Sequence, residues 1–97
     1  MAHEIVFRPQ AEDEVIEIRQ WYESRRAGLG RQFGEAIDGL VGRVAERPLA
    51  YQRVHNETRR AVIARFPYAV YFRLSGNNVV VLAVHGRQDP GRWQSRR

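Results

Sequence analysis

The sequence predicts an α+β domain. An N-terminal strand precedes an antiparallel helical hairpin, which packs on one face of a mainly antiparallel curved sheet in the order β-α-α-β-β-β. Three observations predict it. Two apolar stripes of helical period lie in the first half, separated by the short break "RAGLG" at residues 26–30. Two-residue alternation replaces them from about Leu49 onward. The most apolar run, "VVVLAV" at residues 79–84, has the continuity of a central strand covered on at least one face. Neither helix can bury its stripe alone, so both are expected on one face of the sheet.

Each element has its own signal. "HEIVF", His3 to Phe7, is short and rich in β-formers. Pro9 comes next, suited to the first turn of a helix, and Glu12, Asp13 and Glu14 lie where the helix dipole favours anions. Ala11, Val15, Ile18 and Tyr22 then recur at helical spacing, with Ile16 and Trp21 widening the stripe, so a helix is predicted from about Pro9 to Arg26. Gly28 and Gly30 mark the connection. Phe33, Ile37, Leu40 and Val44, flanked by Ala36 and Val41, predict a second helix from about Arg31 to Ala45. Pro48 disfavours helix just before it, which ends this one near Glu46. "TRRAVIARF" alternates as a strand, and "YAVYFRL" places Tyr68, Val70, Phe72 and Leu74 on one face. "SGNN", Ser75 to Asn78, reads as a hairpin turn into "VVVLAV".

The 97 residues predict one domain, 1–97, with one modest core. An apolar fraction of 43% argues against a disordered chain. The net charge is +5, and all 16 basic residues are arginine. Arginine suits phosphate and carboxylate forks, although a GC-rich genome would give the same bias. The charge favours an acidic partner, nucleic acid or protein. There is no cysteine, which excludes disulfides, thiolate metal sites and a cysteine nucleophile. "MAHEIVFRP" lacks the apolar core of a signal peptide, and no apolar run reaches the ~20 residues of a membrane span. A cytoplasmic protein without a membrane partner is expected.

The chemistry visible in the sequence is sparse. The glycines fit neither a phosphate-binding loop nor a dinucleotide fingerprint, so no cofactor is expected. His3, His55 and His85 lack metal-ligand spacing, so no metal is expected either. Glu12, Asp13, Glu14, Glu17 and Glu23 crowd the first helix and read as a solvated acidic face. Arg59, Arg60, Arg65 and Arg73 are placed on strands, where pairing would gather several on the face opposite the helices. Cleaving RNA also requires proton transfer. His85 is the one good candidate near the basic cluster, with a hydrogen-bonded role at the strand end as its structural alternative.

In "AEDEVIEIRQWY", "GLGRQF", "RPLAY", "RRAVIARFPYAVYFRL" and "VVVLAVHGRQDPGRW", the sequence resembles the RelE/ParE superfamily of type II toxin–antitoxin toxins over nearly its whole length. The resemblance implies a helical hairpin on a curved antiparallel sheet, growth inhibition, plasmid stabilisation and an acidic antitoxin that folds on binding. RelE-like members cut messenger RNA, usually on the ribosome. ParE-like members poison DNA gyrase without cutting nucleic acid. Arg87 matches a basic position of the ribonuclease site. The middle-strand Arg of that site falls on Ala69, the C-terminal Tyr or His falls on Trp93, and the Lys-rich strand is replaced by Arg59 and Arg60. Losing one electrostatic stabiliser alone raises a barrier by about 2.7–4 kcal/mol, and tryptophan exchanges no useful proton.

The ParE-like reading is therefore favoured. It places a gyrase-binding surface on Arg60, Arg65, Arg87, Asp89, Pro90, Arg92 and Trp93, and antitoxin contacts near Trp21 and Tyr22 or the sheet edge. Trp93 has capping the sheet end as its alternative role. A toxin–antitoxin hetero-oligomer is expected. An mRNA interferase using His85 and Arg87 on the ribosome, and an inactive binding module of the same fold, stand as alternatives. The tail Gln94–Arg97 has no assigned role.

Overall fold

A computed structural model describes residues 2–86. Strand β1 (Glu4–Phe7) leads into α1 (Pro9–Arg25) and α2 (Leu29–Glu46). A 3-10 turn (Pro48–Ala50) comes next, then β2 (Arg53–His55), β3 (Thr58–Val62), β4 (Tyr68–Ser75) and β5 (Asn78–Gly86). The five strands form one sheet in the order β1-β5-β4-β3-β2. Only the β1–β5 pair is parallel; the others are antiparallel. The α+β prediction holds, with one strand more than expected. The added strand is β2, a three-residue edge strand too short to show alternation.

The helix limits reflect local chemistry. Pro9 occupies the first turn of α1, where a missing N–H costs nothing. Gly28 turns the chain at φ 88°, a left-handed conformation that glycine adopts without penalty. α2 carries the heavier apolar face: Phe33, Ile37, Leu40, Val41 and Val44 are buried against Ala61, Val70, Phe72, Val79, Val81 and Val84 of the sheet. α1 buries only Ala11 fully, while Val15, Ile18 and Tyr22 pack at the margin. Ile16 and Trp21 do not join that stripe; they are 53% and 50% exposed. They lie on the outer shoulder of a helix whose inward face is narrow.

Three features reshape the strands. β3 stops at Val62, and Arg65 stands in the turn after it at φ 71°, so it is not on a strand as its alternation suggested. In β4, Tyr68, Val70, Phe72 and Leu74 all pack toward the helices, as predicted. In β5 the register shifts: Tyr71 pairs with Ala83, but Phe72 pairs with Val81, leaving Leu82 as the extra residue of a bulge. The bulge is why Val79, Val81 and Val84 all reach the helix side although their spacing breaks strict alternation. Ala69, Tyr71 and Ala83 form a separate buried group with Val54 on the other face.

Candidate functional site

Two edges of the molecule carry polar chemistry. The first is the end of β5. β1 pairs with β5 only as far as Val81, where Arg8 N–H donates to the Val81 carbonyl at 3.0 Å. Past that point the β1 side of β5 has no strand neighbour, because the chain has turned into α1. The side chain of Glu14 fills the gap. Its Oε1 accepts from the Val84 N–H at 2.8 Å, and its Oε2 lies 2.6 Å from His85 Nε2. An ionised carboxylate only accepts, so the ring presents Nε2–H to it. The His85 side chain is 2% exposed and that of Glu14 15%. His85 Nδ1 is buried and has no hydrogen-bond partner among the described residues. A shallow cavity of about 240 Å³ lies beside the pair, lined also by Glu17, Ile18, Tyr68 and Gly86.

The acidic-face reading of α1 is therefore wrong for Glu14. Glu23 stays exposed, as that reading expects, but it also bridges the hairpin. Its carboxylate accepts from the Gly28 N–H at 2.9 and 3.1 Å and from the Gly30 N–H at 3.0 Å. It thereby caps the start of α2 from the end of α1. The two backbone donors, Gly28 foremost, hold its carboxyl below the ordinary Glu value. A side chain five and seven residues ahead of its donors matches no local capping motif, so the sequence carried no signal for it.

The second edge is the sheet face away from the helices. Arg60 lies opposite Tyr71 across β3–β4, and Ala69 lies opposite His85 across β4–β5. Arg73, two residues beyond Tyr71, shares that face. Arg59 points to the helix side and donates to the Tyr51 carbonyl at 2.6 Å, a structural role. Arg65 is exposed in its left-handed turn. Arg60 and Arg65 thus occupy a strand face and a turn, not one strand. Arg87, Asp89, Pro90, Arg92 and Trp93 lie outside the described residues, as does Gln94–Arg97.

The antitoxin candidates separate. Trp21 faces outward, with the Arg25 guanidinium 4.5 Å from its ring centroid. Tyr22 turns inward, with ring centroids 5.6 Å from Phe33 and 5.1 Å from Phe66. Burial, and after it the Tyr68 phenol, pushes the Tyr22 phenol above its ordinary value. Grooves flank α1 on both sides. One of about 440 Å³ contains Trp21, Ile18 and Tyr68. Others of about 360 and 400 Å³ run along the helical hairpin, and both contain Ile16 and Arg19. Among the described residues no group of His, Asp and Glu has the arrangement to hold a metal ion. No described helix is long and apolar enough to cross a membrane.

A family profile described as ParE toxin of type II toxin–antitoxin system, parDE, matches residues 5–90. A search of curated proteins gives no significant match. Among solved structures, the fold is similar to a chain of the chromosomal ParDE system of P. aeruginosa, with TM-score 0.78 and 13% identity over 88% of this chain and 96% of that one. It is similar to a chain of the RelBE2 toxin–antitoxin complex of Mycobacterium tuberculosis, with TM-score 0.65 and 17% identity over 90% and 100%. A mutant of the E. coli toxin RelE in the free state aligns with TM-score 0.66 and 18% identity over 99% and 94%. At these identities the structural likeness speaks to the fold.

Proposed function

The chain belongs to the ParE toxin family of type II toxin–antitoxin systems, and from that premise we propose that it arrests growth by inhibiting DNA gyrase rather than by cutting messenger RNA. The observation that carries the choice is the state of His85. A general base for the 2′-hydroxyl must reach the substrate. His85 is 2% exposed at its side chain, and its Nε2 is committed to Glu14. Ala69, where the ribonuclease members carry an arginine, is buried directly opposite it. Both facts support a surface that binds over one that transfers protons.

The proposed gyrase surface combines Arg60, Arg65 and the residues after β5: Arg87, Asp89, Pro90, Arg92 and Trp93. Arginine forks supply charge-assisted contacts, and tryptophan is a frequent hot-spot anchor. The toxin acts in the cytoplasm and is held inactive by an acidic antitoxin in a hetero-oligomer. The antitoxin's apolar side chains would cover exposed Trp21, with Tyr22 beneath it. The test is to add the purified chain to gyrase with relaxed plasmid, and separately to translating ribosomes. Loss of supercoiling or trapped DNA breaks, with intact messenger, is expected. Cleaved messenger with unaffected supercoiling would overturn the proposal.

A further inference from the structure

We infer that Glu14 is a positioning residue for the toxin's activity: its carboxylate fixes the end of β5, from which the chain runs on to the proposed target-binding residues. The inference rests on the reading that those residues carry the activity. Its independent support is geometric. The carboxylate takes the place of a missing strand, accepting from Val84 N–H at 2.8 Å on the β5 edge that β1 leaves open. The same group holds the next side chain, His85, through Nε2 at 2.6 Å. Two consecutive residues are thus pinned by one α1 side chain, two residues before Arg87.

The bulge at Leu82 lies two residues ahead of Val84. A bulge bends its strand and increases the local twist, so the direction in which β5 leaves it depends on the contacts that hold the strand end. The β4 ladder constrains one side of the strand through Tyr68 and Gly86. Glu14 constrains the other. The carboxylate also satisfies a backbone donor, since an apolar group in its place would leave the Val84 N–H without this acceptor. A carboxylate does something an apolar group cannot: it sets the direction of a backbone N–H and a ring together.

The variants are Glu14→Ala, Glu14→Gln and, as a control, Val44→Ala, which removes core volume from α2 at a residue 1% exposed. Each is expressed as the full chain. Growth arrest, thermal melting and amide exchange are measured. Glu14→Ala should lose growth arrest by roughly tenfold or more, the scale of a lost charge-assisted contact. It should also speed exchange at Val84 and Gly86 without changing exchange in α2. Glu14→Gln should restore most of the arrest, because its amide oxygen can accept from Val84 while its NH₂ donates to a His85 Nε2 that carries no proton. Val44→Ala should keep its arrest at a comparable loss of melting temperature.

Full arrest by Glu14→Ala would overturn the inference. So would equal loss of arrest in Val44→Ala, or no rescue by Glu14→Gln, since either marks a merely structural role. Failure of the gyrase reading is visible separately: wild type that arrests growth while leaving supercoiling intact discards gyrase and still lets the Glu14 comparison decide. Wild type that fails to arrest growth sinks the toxin reading, and this inference with it.

Discussion

At the scale of single residues, the backbone of Arg65 and the carboxylate of Glu23 are each set by local geometry. Arg65 holds φ 71° with an ordinary side chain. A left-handed residue other than glycine costs about 1–2 kcal/mol, and asparagine tolerates the region best. Arg65→Asn should therefore raise the melting temperature, by about 1 kcal/mol in stability or less. An unchanged or lower melting temperature would show that the arginine side chain compensates its own backbone. Glu23 makes a pH-dependent contribution. Its folded carboxyl lies below the ordinary value because Gly28 and Gly30 donate to it. Its stabilisation is therefore complete above the unfolded carboxyl's pKa and is lost as pH falls through the folded one. Glu23→Gln should melt below wild type at neutral pH, and the two curves should converge as the pH is lowered through the carboxylate range. A gap that stays constant with pH would assign the effect to something other than the charge.

At the scale of elements, the hairpin depends on how closely its helices approach. A Cβ built on Gly30 would lie 2.6 Å from the Arg19 carbonyl oxygen of α1, a backbone atom that cannot turn aside. Gly30→Ala should destabilise by about 1–3 kcal/mol, the usual range for overpacking. Gly42, on the same helix, has nothing within 4 Å of the corresponding position and is exposed. Gly42→Ala should stabilise by up to about 1 kcal/mol, through helix propensity alone. Denaturant melts of the two variants should move in opposite directions; movement in the same direction would remove close approach as the cause.

Both helices are legible in the sequence because their apolar spacing, Ala11 to Tyr22 and Phe33 to Val44, runs for about three turns. β4 was legible because Tyr68, Val70, Phe72 and Leu74 keep strict alternation. β2 was not, since three edge residues bury too little to leave a pattern. The contacts made by half-buried Glu14 and by exposed Glu23 are hidden from the sequence for a different reason. Their partners are backbone amides that only the tertiary fold, or a left-handed turn, brings within reach, and an amide leaves no mark in a sequence.

At the scale of the whole molecule, the family and the fold class were readable from motif order, while the candidate site was readable only in part. Its basic residues divide among a strand face, a turn and the segment after β5, and no pattern in the chain states how those parts meet. Net charge needs no such detail. The chain carries +5 with every cation an arginine, so an acidic antitoxin would be drawn to it over a range set by ionic screening. Charge of this kind acts mainly on the encounter rate, while residence time depends on buried contacts such as those proposed for Trp21. The two contributions should therefore separate experimentally. Raising salt should slow association with an acidic antitoxin steeply and leave dissociation nearly constant. Trp21→Ala should speed dissociation by roughly tenfold or more if Trp21 is a hot spot, with association little changed. Stopped-flow mixing with the purified antitoxin measures both. Salt-independent association would mean that the charge serves a different partner, and unchanged dissociation of Trp21→Ala would move the antitoxin off the outer face of α1.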